Sequence, residues 1–304
     1  MTLPHLFQLV SLAAIWGSSF MFMRIAAPEV GPIALIFFRA AIGFITLLPF
    51  LFIYKQQSQI LKHWKSIAVV GLTNTALPFV LFAFATLSIS AGLTSVLNAT
   101  APIFTALVAF IWLKERLGRS KVIGLLIGFS GVIFLFISKG SLSFDAAALA
   151  IVAALVATLN YGYAACYTKQ HLTGVSSLAI ATGSQLFASI MLLPFLGFNL
   201  PEHEVSNTAI YSIITLGVLC TALAYIFYFN LLANLGPAKA ITVTYLIPVF
   251  GIFWGMVFLN EQINVSMLIG AALILSGVSL TTGLIKTNTN SIKFAIYFFM
   301  RKKG

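Results

Sequence analysis

Charge of one sign, cysteine and polar surface are what this chain has least of. Only 8% of its 304 residues are charged and only six are Asp or Glu, where a soluble domain carries roughly a quarter charged residues. Two cysteines, Cys166 and Cys220, both lie inside apolar runs, which excludes a disulfide framework and a four-ligand zinc site. Both are expected to be packing residues. All six acids, Glu29, Glu115, Asp145, Glu202, Glu204 and Glu261, and the histidines His5, His63, His171 and His203 fall in joints or near the ends of apolar runs. No spaced carboxylate cluster, no nucleophile beside a base and no glycine-rich phosphate loop results. The sequence therefore predicts no catalytic residues, no metal site, no cofactor and no enzyme.

What is present is hydrocarbon. Hydrophobic residues make up 60% of the chain and the mean hydropathy is +1.05, more apolar surface than a soluble core could hide. Apolar runs of about 20 residues with short polar joints make the bilayer the solvent. Ten spans are expected, at 5–27, 32–54, 65–87, 90–113, 120–138, 145–168, 175–198, 207–233, 237–259 and 265–285. The first has no Lys or Arg ahead of it and is too long for the apolar region of a cleaved signal peptide, so it is read as a retained span. Ser291 to Lys303 has apolar residues at helical spacing but is too short to cross, and is read as a basic tail or a helix on the membrane surface.

The net charge of +11 would suit a nucleic-acid partner in a soluble protein. Its distribution argues otherwise. With the N-terminus inside, fourteen of the seventeen Lys and Arg fall on the inner side, Arg24 and Lys139 lie outside, and Arg39 lies within span two. Basic loops stay cytoplasmic, so both termini are expected in the cytoplasm. No nucleic acid is expected as a partner.

The chain also repeats itself. A shift of 146 residues pairs Gly71 with Gly217, Thr75 with Thr221, Pro102 with Pro248 and Glu115 with Glu261, and a shift of 145 pairs Arg24 with Lys169 and Leu47-Leu48-Pro49 with Leu192-Leu193-Pro194. Each unit holds five spans, an odd number, so the second copy must start on the opposite side of the membrane. The expected fold class is an all-α integral membrane protein of ten transmembrane helices in two inverted five-helix repeats, residues 1–140 and 141–286, followed by a cytoplasmic tail, 287–304. Inverted repeats are an architecture of secondary transporters that alternate access around a central site.

These residues resemble the drug/metabolite transporter superfamily, specifically the EamA-type transporters. The resemblance is carried by Trp16-Gly17-Ser18-Ser19-Phe20 in span one, Arg39 in span two, the segment from Pro102 to Leu113-Lys114-Glu115-Arg116-Leu117, and its echo from Pro248 to Leu259-Asn260-Glu261. It covers residues 6–285 and implies ten helices in two inverted bundles exporting amino acids, related metabolites or xenobiotics. It does not choose a substrate.

A pathway is sought where polar groups interrupt the spans. Proline inside a helix frees the carbonyl four residues back, which for Pro78, Pro102 and Pro248 belongs to Asn74, Asn98 and Thr244. Irregular backbone at membrane depth needs protein or a wet cavity beside it. These three, with Trp16, Ser19, Tyr161, Tyr225 and Tyr245, form the expected substrate-binding set; kinks healed by neighbouring hydroxyls and anchoring of aromatic rings at the interface are the structural alternatives. Arg39, the one ionisable side chain placed well within a span, either holds a substrate carboxylate or gates the pathway, or else braces backbone carbonyls at a helix break. Without an intramembrane acid or histidine, uncoupled export is favoured over proton antiport.

Glu115 and Glu261 are expected in ion pairs or helix-end contacts, and Gly124, Gly128, Gly131, Gly270 and Gly277 in close helix packing within one chain or between subunits. The expected protein is thus a multi-pass exporter of small organic solutes in a bacterial inner membrane, monomeric or homodimeric, in contact with lipid. A flippase-like or transferase protein that handles lipid headgroups is the alternative.

Overall fold

The computed structural model describes residues 3–138, 145–198, 204–240 and 242–284. The tail from residue 287, and with it the expected surface helix, lies outside them. Among the described residues nine helices are long and apolar enough to cross a membrane. They are α1 (Leu3–Val30), α2 (Pro32–Ile53), α3 (Trp64–Ser88), α4 (Ala91–Ile111), α5 (Arg119–Ser138), α6 (Ala146–His171), α7 (Ser177–Gly197), α8 (Asn207–Leu235) and, after the shorter α9 (Val243–Leu259), α10 (Val265–Thr282).

Side-chain caps set several helix starts. Ser90 accepts from Leu93 N, Asp145 from Ala148 N and Ser206 from Ala209 N, each satisfying an amide that the first turn leaves without a partner. Span nine begins later than expected from its apolar run. A short helix, Pro237–Ala240, precedes it, and Thr242 turns its hydroxyl back onto the Lys239 carbonyl at 2.7 Å. The α9 helix that follows has 17 residues, about 26 Å at the usual rise.

The three prolines are not equivalent, which corrects the expectation of three like kinks. Pro102 marks a true break: α4 consists of Ala91–Asn98 and Ala101–Ile111, with Pro102 in the first turn of the second piece, where its missing N–H costs nothing. Pro78 follows a π-helical stretch, Gly71–Ala76, which takes up the slack before the ring. Pro248 stands inside the uninterrupted α9. A second π-helical stretch, Val218–Leu223, interrupts α8, and neither π segment was foreseen.

Packing follows small residues. A Cβ on Gly17 would fall 2.7 Å from Phe250 Cβ where α1 meets α9, and one on Gly162 would fall 2.8 Å from the Phe104 backbone where α6 meets α4. Helix α5 lies on α10, where a Cβ on Gly277 would come within 2.4 Å of Gly128 N and one on Gly124 within 2.5 Å of the Gly277 carbonyl. The glycines of these spans therefore serve contacts inside the chain. Large apolar side chains such as Phe7, Ile45, Phe52, Leu126 and Ile133 stay exposed on the outside, as a hydrocarbon solvent requires.

Candidate functional site: a central cavity with one charged anchor

The helices enclose a cavity of about 860 Å³, within the range of small-molecule sites. Its wall draws on α1 (Trp16, Ser19, Phe20, Met23), α2 (Arg39), α3 (Asn74, Phe79, Phe82), α4 (Asn98, Pro102, Thr105), α6 (Tyr161, Cys166), α8 (Cys220, Thr221, Tyr225, Tyr228) and α9 (Thr244, Ile247). At one end it reaches Leu113, Glu115, Lys121, Lys169 and Thr282.

Of the nine residues expected to bind substrate, eight line this cavity: Trp16, Ser19, Arg39, Asn74, Asn98, Tyr161, Tyr225 and Thr244. Tyr245 does not. Its hydroxyl bonds to the Val278 carbonyl at 3.2 Å and to Thr282 Oγ1, because one step from Thr244 along a helix turns a side chain by about 100°. Of the kink prolines only Pro102 lines the cavity. Tyr163 is turned away as well, stacked on Trp112 with ring centroids 5.0 Å apart, and Trp254 donates to the Ala14 carbonyl at 2.9 Å. Phe79, Phe82, Cys220, Thr221 and the mouth residues Lys121 and Lys169 were missed. Phe79 and Phe82 carried no signal, since aromatic residues facing lipid and facing a cavity look alike in sequence.

Arg39 is the charged anchor. It is 3% exposed, its Nε donates to Thr221 Oγ1 at 3.1 Å, and its guanidinium lies 3.9 Å from the centroid of the Phe79 ring, a cation–π contact. The π segment of α8 makes the first bond possible, because there the Thr221 hydroxyl donates to Leu216 five residues back at 2.8 Å and still accepts from Arg39. Nη1 is buried without a hydrogen-bond partner. Neither of the two ion pairs among the described residues includes Arg39. Burying a charge without a counter-charge costs on the order of several kcal/mol, so this guanidinium is under-satisfied.

The two ends of the cavity differ. Away from the mouth, Arg24 Nη1 donates to the Thr86 and Ile89 carbonyls, both at 2.7 Å, and its Nε meets Glu261 Oε1 at 3.3 Å. Glu261 also accepts from Ala91 N at 2.7 Å and Gly92 N at 3.1 Å. One cluster thereby ties α1, α3, α4 and the end of α9 together. At the mouth, Lys169 Nζ meets Glu115 Oε1 at 2.7 Å. Both glutamates are thus in ion pairs, as expected, and Lys169 holds the Glu115 carboxyl below the ordinary carboxylate range by hydrogen bond and by charge.

An all-helical, multi-pass integral membrane protein with a central, mostly apolar cavity is the class that this fold and site define. The chain belongs to the EamA-like transporter family, whose profile matches residues 4–137 and 148–283. It is 28% identical over 278 residues to the uncharacterized transporter YoaV of Bacillus subtilis (strain 168), covering 90% of this chain and 95% of that one. It is also 28% identical over 219 residues to a probable terminal-alkyne amino-acid exporter of Streptantibioticus cattleyicolor, covering 70% of this chain and 71% of that one. A protein of known crystal structure shares the fold, with a TM-score of 0.65 at 15% identity over 93% of this chain and 98% of that chain.

Proposed function

We propose that this transporter exports a small organic metabolite, such as an amino acid or a related compound, across a bacterial inner membrane by alternating access. The observation that carries the reading is the cavity of about 860 Å³, lined from both halves of the chain, latched at the Arg24–Glu261 end and open past Glu115 and Lys169 at the other. The distribution of basic residues supports a cytoplasmic mouth and cytoplasmic termini, and on that reading the conformation is the one that loads solute from inside. Eight of the nine expected lining residues, with the Tyr245 exception, constitute the proposed substrate-contacting set.

Inverted repeats supply the second conformation. Helices α1 and α9 pack as α6 and α4 do, α3 on α6 answers α8 on α1, and α2–α7 and α5–α10 pair across the halves. The π segments Gly71–Ala76 and Val218–Leu223 fall at matching places. Exchanging the two halves' roles would open the Arg24–Glu261 end and close the other. The relative named as an amino-acid exporter supports the substrate class, and the scarcity of acids in the cavity wall, where Glu115 stands only at the mouth, supports export without proton coupling.

Untargeted metabolite profiling of medium from overexpressing cells tests this. One or a few amino acids or related solutes are expected to rise outside and fall inside, and the same solutes to enter liposomes containing the purified protein without a pH gradient. No change in any solute would sink the transport reading. Strict dependence on a pH gradient would overturn the uncoupled mechanism alone.

A further inference from the structure

We infer that the cavity takes an organic carboxylate with an apolar body, whose anionic end pairs with the Arg39 guanidinium and whose ammonium, where it has one, is dispensable. This rests on the cavity being the transport site, and it narrows the solute from any small metabolite to a carboxylate. Arg39 combines burial at 3% exposure, a place in the cavity wall, an Nη1 without a partner and no ion pair. A carboxylate matches the planar guanidinium edge with two parallel hydrogen bonds and brings the missing counter-charge.

A purely structural role is opposed by the other half of the chain, where the same helix contact is made without an arginine. A Cβ on Gly217 would fall 3.2 Å from the Arg39 carbonyl, and one on Gly71, 146 residues earlier, would fall 3.0 Å from the Ser184 carbonyl. Ser184 thus occupies the place of Arg39, and Thr75 that of Thr221. Ser184 only bonds its own helix, to the Ala181 carbonyl at 2.8 Å. Packing α7 on the π segment of α3 requires no cation, so packing α2 on the π segment of α8 does not explain one.

The remaining wall agrees. Its charged residues are Arg39 deep inside and Glu115, Lys121 and Lys169 at the mouth, three cations against one carboxylate that Lys169 already occupies. An approaching anion is drawn in, while an ammonium meets no free carboxylate. Beside Arg39, Phe79, Phe82 and Tyr161 form a connected aromatic wall, with Phe82 and Tyr161 centroids 5.9 Å apart and Phe79 and Tyr161 6.4 Å apart. That surface suits the apolar body.

The test uses the purified full-length chain and four probes in isothermal titration: N-acetylphenylalanine, its neutral amide, phenylalanine and phenethylamine. N-acetylphenylalanine is expected to bind about tenfold or more tighter than the amide, the size of a charge-assisted hydrogen bond. Phenylalanine should bind no better than its N-acetyl form, and phenethylamine weakest. Arg39→Gln should bring acid and amide within about twofold, whereas Arg39→Lys, which keeps the charge but not the fork, should retain a reduced preference. If Arg39→Gln does not fold, the wild-type and Arg39→Lys comparisons still decide. Equal binding of acid and amide, tighter binding of phenethylamine, or no binding by any probe overturns the carboxylate inference. Flux of the amide into liposomes at the rate of the acid would overturn it while leaving transport standing, and failure of transport itself is read separately from the medium profiles.

Discussion

The ends of α4 and α9 are built alike and behave differently. In each, the residue before a glutamate is left-handed, Lys114 at φ 55° and Asn260 at φ 52°. In each, the glutamate N–H returns to a carbonyl six residues back, Glu115 to Ala109 at 3.2 Å and Glu261 to Gly255 at 3.1 Å, which satisfies an acceptor left over at the helix end. Each glutamate then takes a cation from the other half of the chain. Beyond that the likeness stops. Glu261 is 12% exposed and answers two further N–H groups, while Glu115 is 38% exposed and its partner Lys169 is 68% exposed. Arginine also uses its fork to reach two carbonyls and a carboxylate at once, where lysine offers a single point charge. The same turn and ion pair therefore make a latch at one end and a loose contact at the other, and the difference lies in what packs around them.

The latch should yield the largest effects. Glu261→Gln removes the ion pair and weakens two charge-assisted bonds at the start of α4, an expected loss of about 2–4 kcal/mol. Thermal unfolding in detergent reads this, and liposome efflux should drop alongside. A variant that melts and transports like the wild type would abolish the distinction between the two ends. Arg24→Lys keeps the charge and loses the fork, so about 1–2 kcal/mol is expected, with efflux intermediate between wild type and Glu261→Gln. A loss as large as that of Glu261→Gln would mean that the carbonyl contacts hold this end as strongly as the Glu261 carboxylate does.

Much of this comparison was visible in the sequence, but not its decisive part. Register placed Glu115 with Glu261 and Arg24 with Lys169, because proline, glycine and glutamate rarely coincide by chance across apolar spans. That the pairs form crosswise, Arg24 with Glu261 and Lys169 with Glu115, is a tertiary fact that no local pattern encodes. The cavity was half legible for a related reason. Arg39, Asn74, Asn98 and Thr244 stand out because polar groups are costly within a span, whereas Phe79, Phe82 and Cys220 are what any lipid-facing helix also contains. Thr221 is polar and repeated as Thr75, yet its role depends on a slip in helical hydrogen bonding that composition does not announce. Tyr245 was misplaced because depth in a span says nothing about which way a side chain faces.

The loose pair should yield smaller effects. Glu115→Gln and Lys169→Gln are expected to leave the melting temperature unchanged, since exposed pairs contribute little. Efflux should fall a few-fold, however, if this contact tightens when the mouth closes, and raising the salt should produce the same fall in the wild type by screening. An unchanged rate in both variants would leave closure of the mouth to packing alone.

Acid should have the smallest effect of all near neutrality. Lys169 holds the Glu115 carboxyl below its ordinary range, and a group whose folded pKa is depressed contributes fully above its unfolded value and is lost only as pH falls through the folded one. The pair is therefore intact throughout the neutral range and gives way only beneath the usual glutamate value of about 4.3. Wild-type efflux, measured with matched pH on both sides, should be flat between about pH 6 and 8. Lys169→Gln has already lost the pair, so its lower rate should show no further loss of this origin on acidification, whereas the wild type should fall toward the variant's rate in strong acid. A wild-type profile centred near pH 7 would remove Glu115 as its cause and would count against an uncoupled exporter, because it would require a titrating group that the cavity wall does not provide.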